Sequence, residues 1–187
     1  DWSADVCSSD LTEKLDFLIQ SLVKLSRMES GIIAVHSEDT TIKQMLESIQ
    51  QQFNAKVREK NITLSLCDTD LHIRCDSKWT VEALGNIVDN AIKYTACGGN
   101  VQIKVEQNSF FVKIDIIDDG IGIEKEEIPK IFGRFYRSLS VADQPGVGIG
   151  LFLAREIIQA QKGYIKVTSK RGKGSTFSVF LPIAKKE

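Results

Sequence analysis

The chain has 187 residues, 42% hydrophobic and 26% charged, with 24 basic against 25 acidic side chains and a formal net charge of -1. That balance gives no electrostatic case for nucleic acid or a membrane surface, and no apolar run approaches the ~20 residues of a membrane span. The length suits one well-cored domain plus an extra element, and Cys7, Cys67, Cys75 and Cys97 lack metal-like spacing, so reduced thiols in a cytosolic setting are expected.

Residues 1–11, Asp-Trp-Ser-Ala-Asp-Val-Cys-Ser-Ser-Asp-Leu, carry no helical or strand period that continues into Thr12 and beyond. They resemble the conceptual translation of a sequencing-library adapter and are read as a non-native segment, which predicts a truncated protein with more chain upstream. From Thr12 to Glu29, Leu15, Leu18, Ile19, Leu22, Val23, Leu25 and Met28 recur at three- and four-residue steps, the pattern of an amphipathic helix ended by Gly31. Its near-heptad seam fits equally well against its own domain or in a bundle or dimer.

An extended piece, Ile32 to His36, precedes a second expected helix from Thr41 to Lys60, with Ile42, Met45, Leu46, Ile49, Phe53 and Val57 as its apolar face and Asp39 or Thr40 as cap. Ile62 to Cys67 alternates as a strand does, and a short strand is expected near Ile73. His36 and His72 have no metal-ligand neighbours at suitable spacing and read as structural or merely exposed.

On a helix over Trp79 to Tyr94, Asn86, Asn90 and Lys93 share one face, while Leu84, Ile87, Val88, Ala91 and Ile92 cover the flanks and back. An amide is costly to bury, so two a turn apart need partners. They could be satisfied core amides or a solvated edge. Alternatively, two neutral oxygens beside a lysine suit a hydrated Mg²⁺ that carries a polyphosphate.

Val101 to Glu106 and Phe110 to Asp118 then read as antiparallel strands, the second running into Asp118-Asp119-Gly120-Ile121-Gly122-Ile123. Glycines admit close backbone approach to a flat ligand, and a carboxylate at a strand end can accept from an exocyclic amine, as adenine offers and guanine in that pose does not. Glu124 to Ser140 carries Ile-Phe-Gly-Arg-Phe-Tyr-Arg and has little regular period, like a flap over a site. Gly146, Gly148 and Gly150 next open a helix, Leu151 to Gln161, whose free amide groups can bind phosphate. A hairpin, Tyr164 to Ser169 and Ser175 to Leu181, completes an α+β order with mostly antiparallel pairing.

Asn86-x-x-x-Asn90, Asp118-x-Gly120-x-Gly122, Phe132-x-x-Phe135, Gly146-x-Gly148-x-Gly150 and Gly172-x-Gly174-x-Thr176 succeed one another in the order and spacing of a known set. Together they resemble the asparagine, first glycine, phenylalanine and second glycine boxes and the final glycine-threonine signature of the ATP-binding domain of bacterial sensor histidine kinases, over residues 12 to about 183. The resemblance implies a two-layer α/β sandwich of the Bergerat type, a mixed, mainly antiparallel sheet with helices on one face, preceded by a long helix. On that pattern Asn90, helped by Asn86, holds Mg²⁺, Lys93 contacts phosphate, Tyr94 lies beside the nucleotide and Asp118 accepts from the adenine amine. Gly120 and Gly122 shape its pocket, residues 124–147 form a lid, and Gly148, Gly150 and Leu151 meet the phosphates. Ile123, Phe132, Phe135, Arg137, Gly146, Val147, Ile149 and Thr176 complete the implied ATP-binding set.

The resemblance further implies that residues 12–31 are part of the second helix of a dimerisation and phosphoacceptor hairpin, and 32–187 the catalytic domain. Its partners would be a second copy through the hairpin and a response-regulator receiver domain, with no nucleic acid, on the cytoplasmic side of a membrane-anchored protein. The phosphorylatable histidine of the first hairpin helix has no counterpart, so autophosphorylation in isolation is not expected. In the similar ATPases of gyrase, mismatch repair and the heat-shock chaperone, a glutamate activates water where Asn86 stands here. Transfer to an imidazole is then the expected chemistry.

Overall fold

The computed structural model describes Ile19, Val23, Ser26 and residues 35–138, 141, 144 and 146–183. Ile19, Val23 and Ser26 are helical; the rest of the expected first helix, Gly31 and residues 1–11 lie outside the described residues.

A short strand, β1 (Glu38–Thr41), pairs antiparallel with β3 (His72–Cys75) apart from the main sheet. It follows the extended piece expected at Ile32 to His36, of which residues 32–34 lie outside the described set and Val35 and His36 have no regular structure. Pairing also moves the cap of the next helix. Asp39 and Thr40 are held extended opposite Arg74 and Ile73, so α1 (Ile42–Glu59) is capped by Thr41, whose hydroxyl accepts the Gln44 N–H at 3.3 Å. Ile42, Met45, Leu46, Ile49 and Phe53 are the buried stripe of α1.

The main sheet has the order β2-β4-β5-β7-β6, where β2 is Thr63–Leu66, β4 Asn100–Gln107, β5 Phe111–Asp118, β6 Tyr164–Ser169 and β7 Ser175–Pro182. Among the described strands only β2 and β4 pair in parallel, which requires a crossover, and that crossover contains α2 (Ser77–Tyr94). Along β4 and β5, Val101, Ile103, Val112, Ile114 and Ile116 are buried and alternate with exposed or half-buried residues, apart from Asp115. The apolar face lies under α1, α2 and α3 (Gly150–Ala160), giving the expected two layers with helices on one side.

Both ends of α2 are fastened. Asp76 caps its start by accepting the Trp79 N–H at 3.0 Å, and the Asp76 N–H donates to Gln161 Oε1 at 2.8 Å, tying α2 to the end of α3. At its other end the Lys60 ammonium donates to the carbonyls of Ile92, Lys93 and Thr95 at 2.9, 2.9 and 2.8 Å, placing a cation where a helix leaves carbonyls unpaired. The helix that carries the two asparagines is therefore held rigidly over the sheet.

Candidate functional site

A cavity of about 440 Å³ opens between α1, α2, the ends of β5 and β7, the residues after β5 and the start of α3. That volume is in the range of a small-molecule site. It gathers Asn86, Asn90, Lys93, Tyr94, Asp118, Gly122, Ile123, Arg137, Gly146, Val147, Gly148, Ile149, Gly150 and Leu151.

Two consecutive carboxylates at the end of β5 have separate tasks, and of the two only Asp118 lines the cavity. Asp118 is 7% exposed and lines the cavity; its Oδ1 accepts the N–H of Gly120 at 2.9 Å and of Ser175 at 3.2 Å. Burial pushes the Asp118 carboxyl above the usual aspartate range, against the pull of those two donors. Asp119 turns away and accepts both the backbone N–H and the side-chain amide of Asn100, at 2.9 and 2.8 Å, which hold it below that range.

Another part of the lining, at the start of α3, is suited to an anion. Ile149 occupies the N-cap of α3 without a side-chain hydrogen bond, so the first amide groups of that helix have no side-chain cap. Lys93 stands beside it, its ammonium 4.9 Å from the centre of the Tyr94 ring. Burial lowers the Lys93 pKa, and the nearby Arg137 lowers it further. Burial raises that of Tyr94. Arg137 itself holds the carbonyls of Val141, at 3.1 Å, and Gln144.

The glycines mainly let protein backbones meet one another. A Cβ on Gly120 would stand 2.5 Å from the Tyr94 carbonyl oxygen, and one on Gly122 2.1 Å from that of Lys170. The first glycine turn is thus wedged between the end of α2, where Ile121 N–H donates to Tyr94 O at 3.2 Å, and the β6–β7 turn. Gly148, with φ of +77°, lies under Tyr136, whose carbonyl oxygen would be 2.5 Å from a Cβ.

Four expected site residues stand outside the cavity. Gly120 builds its wall by packing on Tyr94. Phe132 is half-buried beneath the Arg155 guanidinium at 5.7 Å and packs on the core. Phe135 is 55% exposed with φ of +61°. Thr176 pairs with Ile117 and Thr168 on the outer side of the sheet, and strand alternation gives the cavity its neighbour Ser175 instead. Residues not anticipated also contribute to the lining, among them Gln52, Phe53 and Lys56 from α1, Glu82 and Asp89 from α2, Tyr136, Arg171 and Ser175. A local signal existed for Asp89, which adjoins Asn90, for Tyr136, which lies between Phe135 and Arg137, and for Ser175, which adjoins Thr176; Gln52, Phe53, Lys56, Glu82 and Arg171 arrive through tertiary packing.

No group of three His, Cys, Asp or Glu able to hold a metal exists among the described residues. The asparagine amides are neutral, so a divalent cation here needs ligand oxygens brought by its passenger, as Mg²⁺ carried on phosphates has. The amide of Asn86 is unfinished in the same sense: its Nδ2 is buried with no hydrogen-bond partner.

A family model described as histidine kinase-, DNA gyrase B- and HSP90-like ATPase matches residues 75–185. The chain belongs to this ATPase family. Within the family its likeness is to bacterial sensor histidine kinases. The sensor histidine kinase WalK of Bacillus subtilis is 34% identical over 176 residues, covering 91% of this chain and 29% of WalK. Among solved structures, the Acinetobacter baumannii histidine kinase AdeS superposes with a TM-score of 0.78 at 25% identity, covering 93% of this chain and 81% of that one. The histidine kinase ThkA, solved in complex with the response regulator protein TrrA, has a TM-score of 0.69 at 22% identity and shares the fold, covering 93% of this chain and 52% of that one. The chain therefore spans under a third of the length of WalK, and its ATPase-family match begins next to the cap of α2.

Proposed function

We propose that this ATPase-family domain binds Mg-ATP and passes the γ-phosphoryl group to a histidine on a dimerisation hairpin, for relay to a response-regulator aspartate. The observation that carries the reading is a single cavity lined both by a buried carboxylate, Asp118, and by an uncapped helix start with Lys93. A base with an exocyclic amine fits the first and a phosphate chain the second.

Asp118 accepts from the adenine amine, and Lys93, the first amides of α3 and the Asn86 Nδ2 donate to phosphate oxygens. Asn90 and Asn86 would hold Mg²⁺ through their amide oxygens, and the ion would supply charge neutralisation at the phosphates. In the transfer the γ-phosphorus leaves the bridging oxygen of ADP and bonds to an imidazole nitrogen of the acceptor, whose proton is released. Among the described residues, the four carboxylates that line the cavity have partners: Asp118 with Gly120 and Ser175, Asp89 with Lys56 at 2.6 Å, Glu127 with Tyr136 at 3.1 Å, and Glu82 likewise engaged. That engagement supports transfer to a delivered imidazole over activation of water.

Residues 32–187 are read as the catalytic domain and residues 12–31 as part of the hairpin. Ile19 and Val23, one helical turn apart and 52% and 44% exposed, support pairing of that helix with a second copy. Among the described residues no helix is long and apolar enough to cross a membrane, and a cytoplasmic position beneath a membrane anchor is part of the same proposal.

Calorimetric titration with ATP, ADP and GTP in Mg²⁺ tests binding, and transfer of labelled phosphate to a separately made hairpin that bears the histidine tests chemistry. Adenine nucleotides should bind, GTP should bind far more weakly, and the hairpin should be labelled. Binding without labelling would instead support a nucleotide-binding scaffold.

A further inference from the structure

α1 lies alongside α2 with a constant offset in sequence. Lys60 meets Ile92 and Lys93, Lys56 meets Asp89, and Gln52 approaches Gly85, so successive turns of α1 face successive turns of α2. Lys60 is spent on the helix end. Lys56, one turn earlier, stands level with Asp89 and Asn90 and lines the cavity with Lys93 and Asn86.

Its ammonium is 2.6 Å from the Asp89 carboxylate, with the two side chains 59% and 42% exposed. An exposed pair of this kind adds little to stability, so the fold has small need of it. Its place is functional in another sense. The proposed nucleotide site, on which this inference rests, anchors the base at Asp118 and runs the phosphates past the α3 start toward the middle of α2. α1 contributes Gln52, Phe53 and Lys56 to the cavity wall, and Lys56 is the cation among them.

We propose that Lys56 is a further phosphate-contacting residue, reading the terminal phosphate of the bound nucleotide. Asp89 holds the ammonium at the cavity mouth, and a triphosphate long enough to reach it gains a charge-assisted hydrogen bond that a diphosphate cannot make. The residue thus distinguishes ATP from the ADP left after transfer. Lysine suits this task because its ammonium is a point charge on a flexible stem.

The test is titration of the full chain and of Lys56→Gln and Lys56→Arg with Mg²⁺ and either ADP or an ATP analogue with a non-hydrolysable β,γ bridge. Lys56→Gln should weaken the triphosphate about tenfold, the size of one hydrogen bond to a charged group, and change ADP affinity less than about twofold. Lys56→Arg should keep most of the preference. Equal loss for both nucleotides would show that Lys56 acts only through the fold, and no loss for either would show that it makes no contact; both overturn the proposal while leaving the nucleotide site intact. Failure of the unaltered chain to bind either ligand would overturn the site reading, and this proposal with it.

Discussion

The backbone N–H of Ser175 reaches Asp118 Oδ1 across 3.2 Å, joining the end of β5 to the start of a strand 57 residues further on. Gly120 N–H donates to the same oxygen at 2.9 Å, so the carboxyl group is oriented through Oδ1 and Oδ2 remains to serve a ligand donor. In Asp118→Asn the amide oxygen can keep both backbone bonds while the amide nitrogen replaces Oδ2. Two donors then face each other at the adenine amine. Affinity for adenine nucleotides should fall about 10- to 100-fold, the cost of opposing polar groups in a buried site. Thermal stability at neutral pH should hold or rise, because a buried charge has been removed. Calorimetry and a melting curve on the same sample check both. A variant that binds ATP normally would remove Asp118 from base recognition.

Asp118 and its neighbour should respond to pH in opposite senses. Burial raises the Asp118 pKa above its ordinary 3.8, so its contribution to stability is present below that value and is lost as pH rises through the raised one. If Asp118 receives the adenine amine as proposed, affinity should fall as pH drops through the same raised value, earlier than for an exposed aspartate. Asp119 is held below 3.8 by the Asn100 donors, so its contribution is present above 3.8 and is lost as pH falls through the lowered value. Asp119→Ala should therefore destabilise the chain at neutral pH, by a difference that closes in acid. Denaturation curves of both variants over pH supply the comparison; a pH-independent penalty for Asp119→Ala would remove the carboxylate from the clamp.

Glycine substitutions should separate close approach from backbone conformation. At Gly172, with φ of +72°, an added Cβ would have nothing within 4 Å, whereas a Cβ on Gly174, with φ of +83°, would lie 1.9 Å from the Asp118 carbonyl oxygen. Gly172→Ala should cost about 1 kcal/mol, the penalty of the left-handed region alone. Gly174→Ala must also move the strand end that carries Asp118, and should cost about 4 kcal/mol or more. Urea midpoints decide. Similar losses at the two positions would mean that the β6–β7 turn can yield.

Much of the site was legible because its chemistry is local. Asn86 and Asn90 share a helix face by period alone, and Asp118 stands out as a carboxylate ending an apolar strand. The glycines were legible as positions, less so in purpose: Gly120 and Gly122 clear space for Tyr94 and Lys170, which lie far away in the chain. The α1 wall was hidden for the same reason. Nothing in the spacing of Gln52 and Lys56 tells that α1 will lie beside α2, since that depends on both helices covering one sheet. Thr176 drew notice as a motif residue, yet the pleat turns Ser175 inward. The cap at Thr41 depended on β1 pairing with β3, a contact between residues 31 to 37 positions apart that holds Asp39 and Thr40 in strand geometry.

Magnesium should act only together with the nucleotide. Asn86 and Asn90 present neutral amides, and among the described residues no cluster of three acidic, His or Cys side chains could hold a cation. Two neutral oxygens do not repay the dehydration of Mg²⁺, whereas phosphate oxygens add charge and complete an octahedron with water. Titration of Mg²⁺ into the nucleotide-free chain should give no heat and no rise in melting temperature at millimolar concentration. With ATP present the same addition should raise it, and chelation should reverse the gain. Asn90→Ala should abolish the Mg²⁺-dependent part while leaving the weaker metal-free affinity for adenine nucleotides, since Asp118 is untouched. Tight binding of Mg²⁺ to the empty chain would place the metal on protein ligands that the asparagine helix does not supply.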